Sequence, residues 1–340
     1  MIEFQKYRTR AARTLAASFI AALASCGGGG DGSSPGTGAP GGGSTTARTG
    51  AMTYSFIDKI YSVNMAANQA RTVLQQNYNE SYVGAGMGPE GVIAVAYNSS
   101  STGPTSRLTL LKPDGSTEVS TRYDFTIQGS PRFSADGSKL AFTVGVYSGS
   151  TLTYSVQVVG RDGAALYFSR NRSRPAWLPD GRLVVYDLAD RNLYLTGTDF
   201  NADLTVVPNS IDALSNSVSP DGASIVFARE GQADARRHVF MMNVDGSSTR
   251  QVTTSSDGEE TWATFSPDGK ELMILSAGCV TVGGGGIGAG SVDDDLIHII
   301  PANAQMLEID RDRTTAPTRL LGEGDQANIG RCTNAAPSWR

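Results

Sequence analysis

One short phrase returns about every 45 residues, and it limits what this chain can fold into more than any other feature. It reads Pro131-Arg132-Phe133-Ser134-Ala135-Asp136-Gly137, then Pro175-Ala176-Trp177-Leu178-Pro179-Asp180-Gly181. It returns as Ser217-Val218-Ser219-Pro220-Asp221-Gly222 and as Phe265-Ser266-Pro267-Asp268-Gly269, with a degenerate copy at Met87-Gly88-Pro89-Glu90-Gly91. The glycines stand 46, 44, 41 and 47 residues apart. A period in that range belongs to solenoids, propellers and arrays.

Each phrase is a turn with a mechanism. Proline presets the first central position, aspartate bonds nearby backbone, and glycine accepts the positive φ at which the hairpin closes. Compact apolar runs follow: Val92–Tyr97, Leu140–Phe142, Leu183–Tyr186, Ile225–Phe227 and Leu272–Ile274. They are too short for helices and do not alternate, so they fit strands covered on both faces. Antiparallel strands meet that condition when sheets stack on either side, as propeller blades do. A second strand comes next, ending in several repeats with another Asp-Gly turn (Asp114-Gly115, Asp162-Gly163, Asp245-Gly246), then a short one such as Arg250–Thr253. Each period therefore holds four strands.

The ends complete the count. The last residues, Pro337-Ser338-Trp339-Arg340, are the start of the phrase without its turn, and Thr53–Ile57 resembles the strand that should follow it. One repeat is thus split between the two ends. The sequence predicts an all-β, six-bladed β-propeller with four-stranded antiparallel blades, its ring closed by strands from both termini. Residues 51–340 number 290, against about 270 for six periods. Most of the excess falls between Ser276 and Ile297.

The Pro-x-aromatic-Ser-Pro-Asp-Gly pattern resembles the TolB-like propeller repeat of bacterial envelope proteins, over nearly all of residues 51–340. That resemblance implies the fold and an envelope setting. It implies no particular activity, because such blades serve both binding proteins and peptidases. The chain lacks the α/β domain that precedes the propeller in TolB, so no binding residue is carried over.

Residues 1–25 read as a lipoprotein-type signal peptide. Lys6, Arg8, Arg10 and Arg13 form a basic start, and Thr14–Ser25 is apolar or small but too short to span a bilayer. Leu23-Ala24-Ser25-Cys26 resembles a lipobox, which makes Cys26 the expected lipidation site. Gly27, in place of aspartate, favours the outer membrane over inner-membrane retention. Residues 26–50 then form a tether, with 11 glycines in the 24 residues 27–50, a composition that keeps linkers flexible. The expected location is the cell envelope, lipid-anchored and facing the periplasm.

Cleavage after Ser25 leaves 24 basic and 32 acidic residues, a formal charge of −8. That balance argues against nucleic acid and against direct docking on anionic headgroups; the membrane is reached through the lipid alone. Of the three cysteines, Cys279 and Cys332 remain once Cys26 carries lipid. In an exported protein they are expected to pair, closing a 54-residue loop.

A search for chemistry finds little. The only histidines, His238 and His298, sit in or beside apparent strands and read as surface or strand residues, and neither a zinc motif nor a nucleophile elbow is present. No catalytic residue, resident metal or cofactor is expected. The recurring Asp136, Asp180, Asp221 and Asp268, with Gly137, Gly181, Gly222 and Gly269, read as structural turn residues. The segment 277–297 breaks the repeat with a glycine run and then Asp293-Asp294-Asp295. Those three aspartates can contribute oxygens to Ca²⁺ but alternate in direction on extended chain and make no cage alone. The segment is the expected recognition loop. The expected function is a non-enzymatic, monomeric propeller that binds or scaffolds an envelope protein or a peptidoglycan-associated partner. The alternatives are a glycan lyase or hydrolase and a purely structural assembly part.

Overall fold

The computed structural model describes residues 48–56, 59–67, 69–75, 80–99, 105–148, 151–200, 204–255, 259–277, 296–309 and 338–340. These belong to one unit, Thr46–Arg340. The signal sequence, Cys26, the tether before residue 48, Cys279, Cys332 and Asp293–Asp295 lie outside the described residues. The disulfide expectation is corrected: among the described residues the structure holds no disulfide.

Six sheets form the six blades. Blade 1 holds β1 (Ala51–Phe56), β2 (Lys59–Asn64) and β3 (Gln69–Gln75). Blade 2 holds β4 (Glu80–Met87), β5 (Ile93–Ser99), β6 (Thr105–Leu111) and β7 (Thr117–Tyr123). Blade 3 holds β8 (Thr126–Phe133), β9 (Lys139–Ser148), β10 (Thr151–Gly160) and β11 (Ala165–Arg170). Blade 4 holds β12 (Arg172–Trp177), β13 (Leu183–Asp187), β14 (Leu193–Leu195) and β15 (Thr205–Val206). Blade 5 holds β16 (Leu214–Val218), β17 (Ser224–Glu230), β18 (Arg237–Asn243) and β19 (Arg250–Gln251). After β20 (Thr253–Thr254), blade 6 holds β21 (Glu259–Phe265), β22 (Glu271–Ala277) and β23 (Leu296–Pro301), followed by β24 (Leu307–Glu308). The last strand, β25 (Ser338–Trp339), is the first strand of blade 1.

That last pairing closes the ring. Met52 faces Trp339 and Thr53 faces Ser338. The Ala51 N–H donates to the Arg340 carbonyl at 2.6 Å and the Arg340 N–H to the Ala51 carbonyl at 2.9 Å. Both ends of the chain thus meet in one sheet, as the split repeat predicts.

The non-alternating apolar runs now have a cause. Six core clusters form, one between each pair of adjacent blades. Successive residues of each second strand enter different clusters, because they point to opposite faces. In β5, Ile93, Val95 and Tyr97 pack toward blade 1. Ala94 and Ala96 pack toward blade 3. In β17, Ile225 and Phe227 face blade 4 while Val226 faces blade 6. Both faces are interior, so no polar phase survives in the pattern.

Each blade's first strand packs on the first strand of the next around the axis, with β25 between β21 and β4. These inner strands line the channel. Every one from β4 to β21 carries a register slip at mid-length: Tyr82/Gly84, Gln128/Arg132, Ser173/Ala176, Leu214/Ser217 and Glu260/Trp262. Bulges bend a strand and re-aim its side chains.

One expectation changes in detail. Arg250–Thr253 is not a single fourth strand. Arg250 and Gln251 pair with β18, whereas Thr253 and Thr254 run parallel to Leu307 and Glu308 after blade 6. Val252 lies between them, fully buried in the interface of blades 5 and 6, and anchors the crossing.

Candidate functional site: an arginine-bearing channel mouth

The repeated turns form the rim of one channel mouth. In blade 5 the Ser219 hydroxyl donates to the Asp221 carboxylate at 2.5 Å and accepts from the Ser224 N–H at 2.9 Å. The Ala223 N–H donates to the same carboxylate at 3.0 Å, and Gly222, at φ 73°, closes the turn. Asp136 and Asp268 repeat the arrangement with Ser134 and Ser266. Blade 4 has Leu178 in place of serine, and Asp180 keeps only the Arg182 contacts. Serine hydroxyls, then backbone N–H groups, hold the Asp136, Asp221 and Asp268 carboxyls below the usual carboxylate range. These acids are engaged in their own turns.

Inside the rim lies a cavity of about 340 Å³ to which all six blades contribute. Its polar lining is two guanidinium groups, Arg132 and Arg340, with the hydroxyls of Ser217, Ser219, Thr264, Ser266 and Ser338. No aspartate or glutamate is among the described residues that line it. In a chain of net charge −5 this is a local reversal of sign.

Arg132 reaches across the axis. Its guanidinium carbon stands 4.3 Å from the centre of the Trp262 ring, on the opposite blade. Stacking on an aromatic face suits the weakly hydrated guanidinium. Burial alone pulls its ionisation down to about 10, so it remains charged at neutral pH. Among the described residues no carbonyl, hydroxyl or carboxylate accepts a hydrogen bond from it. Lining the same cavity, the Ser217 and Thr264 hydroxyls stand 3.1 Å apart.

Arg340 crosses from blade 1 to the turn of blade 3. It donates to the carbonyls of Ser134 and Ala135 at 2.8 Å each, and to that of Phe133 at 3.3 Å. Burial lowers its ionisation and the Asp136 charge partly restores it. Blade 2, between them, packs closely on blade 3 through glycines. A Cβ on Gly86 would overlap the Pro131 carbonyl, and one on Gly88 would come 2.8 Å from the Phe133 ring.

Arg174 lies deeper, on the neighbouring inner strand and two residues further from the rim, a step of about 7 Å along a strand. It adopts φ 53°, a left-handed conformation costly for a non-glycine residue. Three bonds hold it there. Its N–H donates to Thr143 Oγ1 at 2.8 Å, its carbonyl accepts from Asn216 Nδ2 at 3.2 Å, and its guanidinium donates to Ser215 Oγ at 2.9 Å. Burial lowers its ionisation and the Arg237 charge adds to the effect, against the raising influence of Tyr186 and Tyr154.

Sequence reading missed all of these arginines. The visible signal was that Arg132, Arg174 and Arg340 flank the repeated phrase at positions where the other repeats carry small or neutral residues. His238 also differs from expectation. It is a strand residue, in β18, and not a surface one: it is 2% exposed, with Nδ1 2.9 Å from Glu260 Oε2 and Nε2 2.9 Å from Asp234 Oδ2. His298 is buried in β23. Among the described residues no group of three or more His, Cys, Asp or Glu side chains is placed to hold a metal ion. Likewise no helix there is long and apolar enough to cross a membrane.

Fold and channel together define a six-bladed β-propeller resembling TolB. The crystal structure of TolB from Acinetobacter baumannii matches with a TM-score of 0.55 and 16% identity, over 76% of this chain and 62% of that one. The chain therefore spans less than two thirds of that TolB. A chain of the crystal structure of a nidogen/laminin complex matches with a TM-score of 0.50 and 12% identity, over 73% of this chain and 88% of that one. At these identities the likeness is one of fold alone. No protein-family model matches the sequence, and no curated protein does.

Proposed function

We propose that this propeller is a non-enzymatic binding module of the bacterial cell envelope. In this reading Cys26 carries lipid, residues 26–50 tether the ring, and residues 51–340 recognise an envelope protein or a peptidoglycan-associated partner. The observation that carries it is the channel mouth. Every blade contributes to the cavity, its charged lining is cationic, and the rim acids are occupied in turns. Such a mouth offers fixed donors for recognition, and among the described residues that line it no Asp, Glu or His stands as a base beside a nucleophile. The signal-like residues 1–25 and the likeness to the TolB fold support the envelope setting.

The test is crosslinking in cells with the lipidated protein, followed by identification of captured partners by mass spectrometry. The expected result is one envelope partner in stoichiometric amount, weakened by Arg132→Ala in the channel mouth. Capture that persists in that variant and disappears on deletion of residues 277–296 moves recognition from the mouth to the loop. No reproducible partner, together with turnover of an envelope glycan, replaces the reading with an enzymatic one.

A further inference from the structure

The arrangement around Arg132 says more than that the mouth binds. The Arg132 guanidinium carbon lies over the Trp262 ring, so one side of the group is engaged. What it still offers is its edge, a planar fork of N–H donors that matches a carboxylate in two parallel bonds. Among the described residues that edge meets no acceptor, and it lies in a cavity with no acidic side chain in its described lining. Neutral hydroxyl groups on Ser217 and Thr264 line the same cavity, able to donate or accept toward a ligand body.

Size and charge narrow the ligand further. A cavity of about 340 Å³ is at the small end of ligand pockets. It takes a sugar acid or a two-residue peptide end, not a folded element. The rim outside bears Asp136, Asp180, Asp221 and Asp268, and the turns of Asp136, Asp221 and Asp268 hold their carboxyls below the usual carboxylate range. An extended polyanion would lie against that negative ring, whereas a compact ligand with one carboxylate passes inside it to the arginine.

We propose that the channel mouth is a receptor site for a single carboxylate on a compact neutral body, gripped by the edge of Arg132 with the Ser217 and Thr264 hydroxyls holding the body. Arg340, tied to three carbonyls of the blade 3 turn, adds positive potential rather than a grip. The chemistry is the same for a free organic acid and for the carboxyl end of a peptide. This assignment rests on the mouth being the recognition face.

Equilibrium dialysis with the full chain in detergent tests it with matched probes. One pair is N-acetyl-alanyl-alanine and its C-terminal amide; the other is glucuronate and glucose. The expected result is that in at least one pair the acid binds tenfold or more tighter than its neutral partner, with the preference shrinking as salt rises. Arg132→Gln abolishes the preference. Arg132→Lys, which keeps the charge but not the fork, retains part of it. Preference for the peptide acid alone identifies a chain end as the source, and preference for glucuronate alone identifies a sugar acid. Equal binding of acid and neutral partner by the unaltered protein overturns the proposal, with no variant needed. So does a preference that survives Arg132→Gln in a protein of unchanged melting temperature. Partner capture in cells that continues while neither acid is preferred sinks the carboxylate site and leaves the binding module standing.

Discussion

His238 supplies the sharpest test of the structure's energetics. Its two ring nitrogens each face a carboxylate oxygen, and ionised carboxylates only accept. With both carboxylates ionised, both nitrogens donate and the ring is an imidazolium, the form that the raised ionisation of His238 favours. Glu260 is fully buried and also accepts from Thr253 Oγ1 at 3.1 Å. The charged ring thus joins β18 of blade 5 to β21 of blade 6 at their seam. The Glu260 bond, opposed by burial and helped by Asp234, raises the ionisation of His238 above its ordinary 6.5. The neighbouring charges are the Arg237–Glu259 pair, 3.8 Å apart, and Asp234 itself, which is partly exposed.

Removing one partner of a buried pair costs about 3–5 kcal/mol, because the other is left charged and unpaired. His238→Ala should accordingly lower the melting temperature by about 6–20 °C, at about 2–4 °C per kcal/mol for a domain somewhat smaller than this one. The pH dependence has a definite sign. The folded protein keeps a proton that the unfolded chain releases above 6.5, so the contribution is complete below 6.5 and lost as pH rises through the higher folded value. The slope in that window approaches about 1.4 kcal/mol per pH unit. Thermal unfolding of wild type and His238→Gln from pH 5.5 to 9.5 reads it directly. The gap between them should be widest at pH 5.5 and narrow toward pH 9.5. A gap that is constant or widens with pH would refute the imidazolium.

Two further predictions concern the repeat itself. Phe227 is fully buried between blades 4 and 5 and stacks on Phe240 at 5.9 Å, so Phe227→Ala should cost about 3–5 kcal/mol in denaturant unfolding. Ser219→Ala removes the hydroxyl that joins the Asp221 carboxylate to the Ser224 N–H, with an expected loss of about 1–2 kcal/mol. Its acid limb should soften as well. Asp221 is held below its ordinary 3.8, so its contribution is present above that value and disappears as pH falls below it.

The sequence discloses the fold because a propeller writes each blade out in full. Turn residues must recur where the chain reverses, and doubly buried strands must be continuously apolar, so Asp221-Gly222 and Ile225–Phe227 announce their own places. Ring closure was legible for the same reason, since Ser338-Trp339 is a phrase missing its second half. The seam around His238 was not legible. Asp234, His238 and Glu260 come from two blades, and no local pattern links them. The division of Arg250–Thr253 between two pairings was equally hidden, because it depends on where Val252 is buried and not on strand propensity.

A repeat protein is in effect its own alignment, and that separates fold from site. The residue preceding the aromatic or apolar turn position is Gly86, Arg132, Ala176, Ser217, Thr264 and Ser338 around the ring. Two places earlier stand Gly84, Ser130, Arg174, Ser215 and Trp262. Blade architecture therefore accepts glycine, alanine or a hydroxyl residue at the first place, and it does not require arginine. The same holds at the second place, where Arg174 bears a left-handed backbone that Ser215 shares at φ 55°. If arginine were there for the fold, replacing it should cost as much as replacing Phe227. If it serves recognition, Arg132→Ala makes blade 3 like blade 4 and should cost only its cation–π contact, about 0.5–2 kcal/mol. Chemical denaturation of the two variants side by side decides the matter. Equal losses would return Arg132 to the core, and a small loss beside a large one keeps it in the site.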